Sequence, residues 1–123
     1  MHALVIDDSK ATRVILKGIL ESLGFDVLQA GDGKEAIQRM EQVASIAVAL
    51  VDWNMPIMNG YEFIQHIRGK PRFDETKLMM VTTEAGMEQV IDALEAGADE
   101  YLMKPFTSDA IIEKLGLMGI VGA

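Results

Sequence analysis

The stretch from Ala47 to Gly60, AVALVDWNMPIMNG, constrains this chain more than any other. It begins as an apolar run and stops abruptly at Asp52. Trp53, Asn54 and a turn built on Pro56, Asn59 and Gly60 follow. An apolar run of this kind reads as a buried strand. Its last residue is a carboxylate that opens into a loop, so the carboxylate is presented at the edge of a sheet.

Other apolar runs end the same way. Ala3 to Ile6 stops at Asp7 and Asp8, Leu78 to Val81 stops at Thr82, and Tyr101 to Met103 stops at Lys104-Pro105. Phe25 to Ala30 is a weaker strand that leads into the turn Gly31-Asp32-Gly33. Amphipathic segments lie between the runs. Asp8 and Ser9 are good helix caps, and Ala11, Val14, Ile15, Ile19 and Leu23 follow at helical spacing up to Gly24. Ala36, Ile37, Met40 and Val43 mark a second helix. Tyr61, Phe63, Ile64 and Ile67 mark a third, and Met87, Val90, Ile91 and Leu94 a fourth that stops at Gly97. Thr107 or Ser108 caps a fifth, with Ile111, Ile112 and Leu115. The glycine-rich tail from Gly116 is expected to fray.

Five alternating strand and helix units predict an α/β fold, a doubly wound parallel five-stranded sheet with helices on both faces. The 123 residues suit one domain with one core. Residues 1–123 are therefore read as a single unit with no output domain. The net charge of -8 argues against a nucleic-acid surface. With no cysteine, disulfides, thiolate metal sites and thiol catalysis are excluded. No run is long enough to span a membrane, and no signal-peptide pattern precedes the first strand, so a cytoplasmic location is expected.

In a parallel sheet all strand C-termini share one edge, where ligands bind. Here that edge carries Asp7, Asp8, Asp52, Thr82 and Lys104. Two like charges 4 Å apart repel by about 4 kcal/mol at an effective dielectric near 20, so three carboxylates call for cations. Lys104 is one. Mg²⁺, a hard ion that binds carboxylates together with phosphate oxygens and water, is the natural second. A carboxylate beside Mg²⁺, a lysine and a hydroxyl suits phosphoryl transfer through an aspartyl phosphate. Taken singly, Asp8 reads as a helix cap, Asp52 as a turn residue, Lys104 as a surface lysine and Thr82 as a strand-end hydroxyl. Their joint placement at separate strand ends points to a site.

The segments VIDDS (5–9), LVDWNMPIMNGYEF (50–63), MVTTEA (80–85) and GADEYLMKPF (97–106) resemble the receiver domain of bacterial two-component response regulators, most of all the stand-alone CheY-like type. The resemblance spans essentially the whole chain. It implies strand order 2-1-3-4-5 and a phospho-acceptor at Asp52. It implies Mg²⁺ held by Asp8, Asp52 and the Asn54 carbonyl, with Asp7 acting mainly through water. Thr82 and Tyr101 become a switch pair, and Lys104 the contact to the phosphoryl group. Asn54 and Glu84 tune dephosphorylation, and the Lys104-Pro105 bond is cis. Thr83 stands where the chemotaxis type has a smaller alanine.

The implied function is a phosphorylation-dependent switch. A partner histidine kinase supplies the phosphoryl group, and the domain catalyses only its own phosphorylation and dephosphorylation. A downstream target meets the fourth helix, fifth strand and fifth helix. A monomer or weak dimer is expected, in chemotaxis or another pathway. Four other readings compete. A phosphorelay intermediate differs only in where the phosphoryl group goes next. A haloacid-dehalogenase-type phosphatase needs an acid where this chain has Asn54. A flavodoxin-like FMN binder needs a phosphate loop where this chain has Asp7 and Asp8. A receiver-shaped scaffold would leave Asp52 unmodified.

Overall fold

The computed structural model describes residues 1–83 and 87–120. Five strands, β1 (His2–Ile6), β2 (Asp26–Ala30), β3 (Val48–Asp52), β4 (Lys77–Thr83) and β5 (Glu100–Lys104), form one parallel sheet in the order β2-β1-β3-β4-β5. The helices are α1 (Lys10–Ser22), α2 (Gly33–Glu41), α3 (Gly60–Arg68), α4 (Met87–Ala96) and α5 (Ser108–Leu117), with a 3-10 turn at Pro71–Phe73. The predicted fold class and strand order both hold.

Two apolar cores lie on opposite faces of the sheet. Leu4, Ile6, Ala49, Val51, Leu78 and Met80 face one core, which α2, α3 and α4 cover. Their neighbours Ala3, Val5, Val48, Leu50, Met79 and Val81 face the other, covered by α1 and α5. The period-two alternation of side chains in a strand divides them in this way. Because both faces are buried, the central strands can be apolar throughout.

The starts of α1, α2, α3 and α5 have a sequence reason. Ser9, Asp32, Asn59 and Thr107 each accept a hydrogen bond from the backbone N–H three residues on. Asn59 and Glu62 form a reciprocal capping box. At the end of α1, Gly24 has φ +95°. Its N–H bonds to the Glu21 carbonyl and that of Phe25 to the Leu20 carbonyl, which is the Schellman pattern. The same pair of bonds closes α4 at Gly97 and α5 at Gly119.

One expectation needs correction, and two helices bury a different face from some of the residues that marked them. In α1 the buried residues are Leu16 and Leu20, with Ile19 and Leu23 packed beside them, whereas Ala11, Val14 and Ile15 are exposed. In α4 Val90 and Ala93 face the core, while Ile91 and Leu94 are exposed. The tail does not fray between Gly116 and Ile120, and residues 121–123 lie outside the described ones. The turn at Gly119 brings Met118 and Ile120 into the core beneath α5.

Arg68 at the end of α3 ties the opposite edge of the sheet together. It donates hydrogen bonds to the carbonyls of Gly97 (2.9 Å), Phe73 (3.2 Å) and Thr76 (2.9 Å), and to Asp99 Oδ2 (2.8 Å). Asp99 Oδ2 also accepts from the Leu78 N–H. A side chain on Gly97 would collide with the Arg68 stem. Arg68→Ala is expected to lower stability by about 2–4 kcal/mol, because three carbonyls and a carboxylate lose a charged donor. Arg68→Lys should recover only a minor part, since an ammonium cannot span those partners. Urea unfolding of the three proteins measures both effects.

Candidate functional site

Strand register assembles the site. Ile6 pairs with Val51, so Asp7 and Asp52 leave the sheet at the same level on neighbouring strands. Asp52 pairs with Val81, which places Thr82 one residue further along β4. Thr83 pairs with Lys104 on β5. The chain then turns sharply after each strand. Ser9 begins α1 only two residues after Asp7, and its N–H bonds Asp7 Oδ1 at 2.8 Å. Asp8 is left outside the helix and exposed to solvent.

After β3, Gly60 packs directly on the strand end. Its N–H bonds the Trp53 carbonyl at 3.0 Å, and a Cβ there would stand 2.4 Å from the Asp52 carbonyl oxygen. Only glycine fits that approach. In the intervening loop Ile57 has φ +69°, a left-handed conformation that strains a β-branched residue. Ile57 is also exposed. The loop is anchored on its other side by the bond from the Gly33 N–H to the Met58 carbonyl.

Asp7, Asp8 and Asp52 each offer a carboxylate oxygen, all within 4.8 Å of one another. Asp7 is 2% exposed and Asp52 9%. Lys104 Nζ lies 3.2 Å from Asp7 Oδ2 and 3.4 Å from Asp52 Oδ1. Burial raises the Asp52 pKa from 3.8 to about 6, with Asp7 adding to the rise and Lys104 opposing it. Burial also works against the charge of Lys104, but Asp52 and then Asp7 outweigh it, and its pKa stands above the ordinary value.

Three carboxylates against one ammonium leave two negative charges uncompensated. The donors are all hard oxygens, and one of the carboxylates faces solvent. A small divalent cation such as Mg²⁺ fits that set in charge and in donor chemistry.

The other anticipated residues occupy varied positions. Thr82 is buried beside the cluster, with its hydroxyl donating to the Thr83 carbonyl at 3.3 Å. Tyr101 is half-buried on β5, packed against the core under α4. Lys114 Nζ stands 4.1 Å from its ring centre and 3.1 Å from Glu100 Oε1. Asn54 is exposed in the loop two residues after Asp52. The Lys104–Pro105 bond is cis. Glu84 lies outside the described residues.

Residues 3–116 match the response regulator receiver domain family. The chain belongs to that family. Among its relatives, the chemotaxis protein CheY1 of Helicobacter pylori is 45% identical over 94% of this chain and 94% of its own. A chemotaxis protein CheY homolog of Campylobacter jejuni is 43% identical over 94% of this chain and 89% of its own. Among solved structures, the receiver resembles chemotaxis protein CheY4 of Vibrio cholerae, with a TM-score of 0.86 and 31% identity over 94% of this chain and 95% of that one. A CheY-like receiver domain protein of Methanospirillum hungatei aligns with a TM-score of 0.82 and 32% identity over 96% and 94%. Membership places the chain in two-component signalling.

Sequence reasoning overlooked Arg13. Its guanidinium, on the second turn of α1, donates from Nη1 to the Asp7 carbonyl. The available signal was its charge, since a cation near a helix N-terminus opposes the helix dipole. The close contact at Gly60 and the strained Ile57 were also missed. Neither has a signature beyond the turn composition.

Asp52 makes the metal-free receiver sensitive to pH. Its folded pKa exceeds the unfolded value, so folding favours the protonated form. That contribution is complete below about pH 3.8 and is lost as pH rises through about 6. The rise corresponds to roughly 3 kcal/mol at most. With chelator present, Asp52→Asn should therefore be more stable than wild type at pH 7, and the gap should close towards pH 4. Urea unfolding across that range measures it, and a gap independent of pH would contradict the assignment.

Proposed function

We propose that the receiver is a phosphorylation-dependent switch in which Asp52 accepts a phosphoryl group from a histidine kinase. The reading is supported above all by the convergence of Asp52, Asp7, Asp8 and Lys104 at one sheet edge. An Asp52 carboxylate oxygen attacks phosphorus while the bond from phosphorus to the donor imidazole nitrogen breaks, and the ring, already protonated on its other nitrogen, leaves as neutral imidazole. Asp8, Asp52 and the Asn54 carbonyl would hold Mg²⁺, with Asp7 acting mainly through water. When bound, the ion supplies positive charge that stabilises the transferring phosphoryl oxygens. Lys104, freed from its share of carboxylate charge, pairs with one of those oxygens. The Thr82 hydroxyl donates to another.

Thr82 must give up its bond to the Thr83 carbonyl to do this, and its movement changes the space beside β5. Tyr101 responds, and the two-state surface of α4, β5 and α5 is biased towards its target. The exposed Ile91, Leu94 and Ile112 lie on the two helices of that surface. Asn54 and Glu84 set how readily water reaches the aspartyl phosphate. We place the receiver in chemotaxis, as its relatives named chemotaxis proteins are, acting in the cytoplasm through protein contact.

Intact mass spectrometry after brief exposure to Mg²⁺ and a small phosphoryl donor tests the acceptor. Wild type should gain one labile phosphoryl group, and Asp52→Asn none. An adduct of equal yield on the variant would remove Asp52 from its role. Lys104→Ala should still take up the group, but at least about 10-fold more slowly, since it loses one preorganised charge.

A further inference from the structure

We infer that Arg13 is a positioning residue for the metal-binding carboxylates, acting through the backbone of Asp7. The inference rests on the proposed Mg²⁺ reading of the site. Every polar group of Asp7 is committed. Its N–H donates to the Ala30 carbonyl at 3.0 Å. One carboxylate oxygen accepts from the Ser9 N–H and the other from Lys104. The remaining group, the carbonyl at the end of β1, accepts from Arg13 Nη1. Arg13 is half-buried, and a Cβ on Gly31 would lie 3.7 Å from the same nitrogen. The guanidinium therefore sits against the ends of both β1 and β2 and braces the two-residue link that carries Asp8 to the site.

Its charge attracts the carboxylates nearby but works against both the helix and a bound metal. A cation near the start of α1 opposes the helix dipole, and the first turn of α1 has no acidic residue to offset it. A positive charge beside the carboxylates also competes with a divalent cation. Without the brace, mutual repulsion would push the Asp7-Asp8 segment away from Asp52, and the three donors would no longer converge. Coulomb's law alone and the brace thus make opposite predictions. Removing the charge alone should tighten Mg²⁺ binding, because one repulsion with the divalent ion is lost. Removing the brace should weaken it, and loss of groups that orient metal ligands typically costs about 10- to 100-fold.

The test is Mg²⁺ affinity of wild type, Arg13→Ala, Arg13→Met and Arg13→Lys, read by calorimetry and by Trp53 fluorescence well below the melting temperature. The metal-free melting temperature of each is measured in parallel. We expect Kd to rise about 10-fold in Arg13→Ala and Arg13→Met and to recover in part in Arg13→Lys, which keeps a donor on a long stem. An unchanged or lower Kd in the Ala and Met variants would overturn the inference, even if their melting temperature fell, because Arg13 would then be a structural tie alone. If neither of those two variants folds, Arg13→Lys decides: its shorter donor should still leave Kd above that of wild type, and equality would overturn the inference. Wild type that fails to bind Mg²⁺ would remove the metal reading itself, and this inference with it.

Discussion

The structure depends on holding carboxylates together where they repel one another. Lys104 reaches from β5 past the end of β4 to both Asp7 and Asp52, and it is the one ammonium in contact with them among the described residues. It does not neutralise the cluster, and Asp52 remains hard to ionise. An uncompensated charge of this kind lowers stability unless a cation is supplied from solution. On the proposed reading, the fold gives up stability here in order to bind, as functional sites often do.

The rest of the architecture makes that possible. Two apolar cores, one on each face, fix the sheet, so the ends of β1, β3 and β5 cannot drift apart to relieve repulsion. Close packing of Gly60 on the Asp52 carbonyl, the Asn59–Glu62 capping box and the Met58 bond to Gly33 hold the loop beside Asp52. Arg68 closes the far edge of the sheet with four hydrogen bonds. The exposed edge is electrostatically strained, and the opposite edge is tied.

Much of this was legible in the sequence because strands buried on both faces are short, continuous apolar runs with sharp ends. Those ends gave the site before any helix was placed. The helix faces were less legible. In α1 apolar residues occur on more than one side, so spacing alone does not select Leu16 and Leu20 over Val14 and Ile15. In α4 the small Ala93 faces the core, while the larger Ile91 and Leu94 point outward, the reverse of what hydrophobicity suggests. At the C-terminal end, glycine content suggested fraying, but the left-handed turn at Gly119 returns Met118 and Ile120 to the core. Apart from its charge at a helix start, Arg13 left no mark in the sequence, for a different reason. Its partner is a backbone carbonyl, and no side-chain pattern records such a bond.

The central claim is that carboxylate repulsion in the folded state is relieved by a divalent cation. The most direct measurement is the melting temperature of wild type and of Asp8→Ala as Mg²⁺ is raised. An ion that binds only the folded chain should stabilise it by about 2.7 kcal/mol at 100 times its Kd, which for a chain of this size is a rise of roughly 8–15 °C. Wild type should show that rise, and Asp8→Ala should show little of it while remaining folded. A wild-type curve that does not move at saturating Mg²⁺, or a variant that gains as much as wild type, would contradict the account.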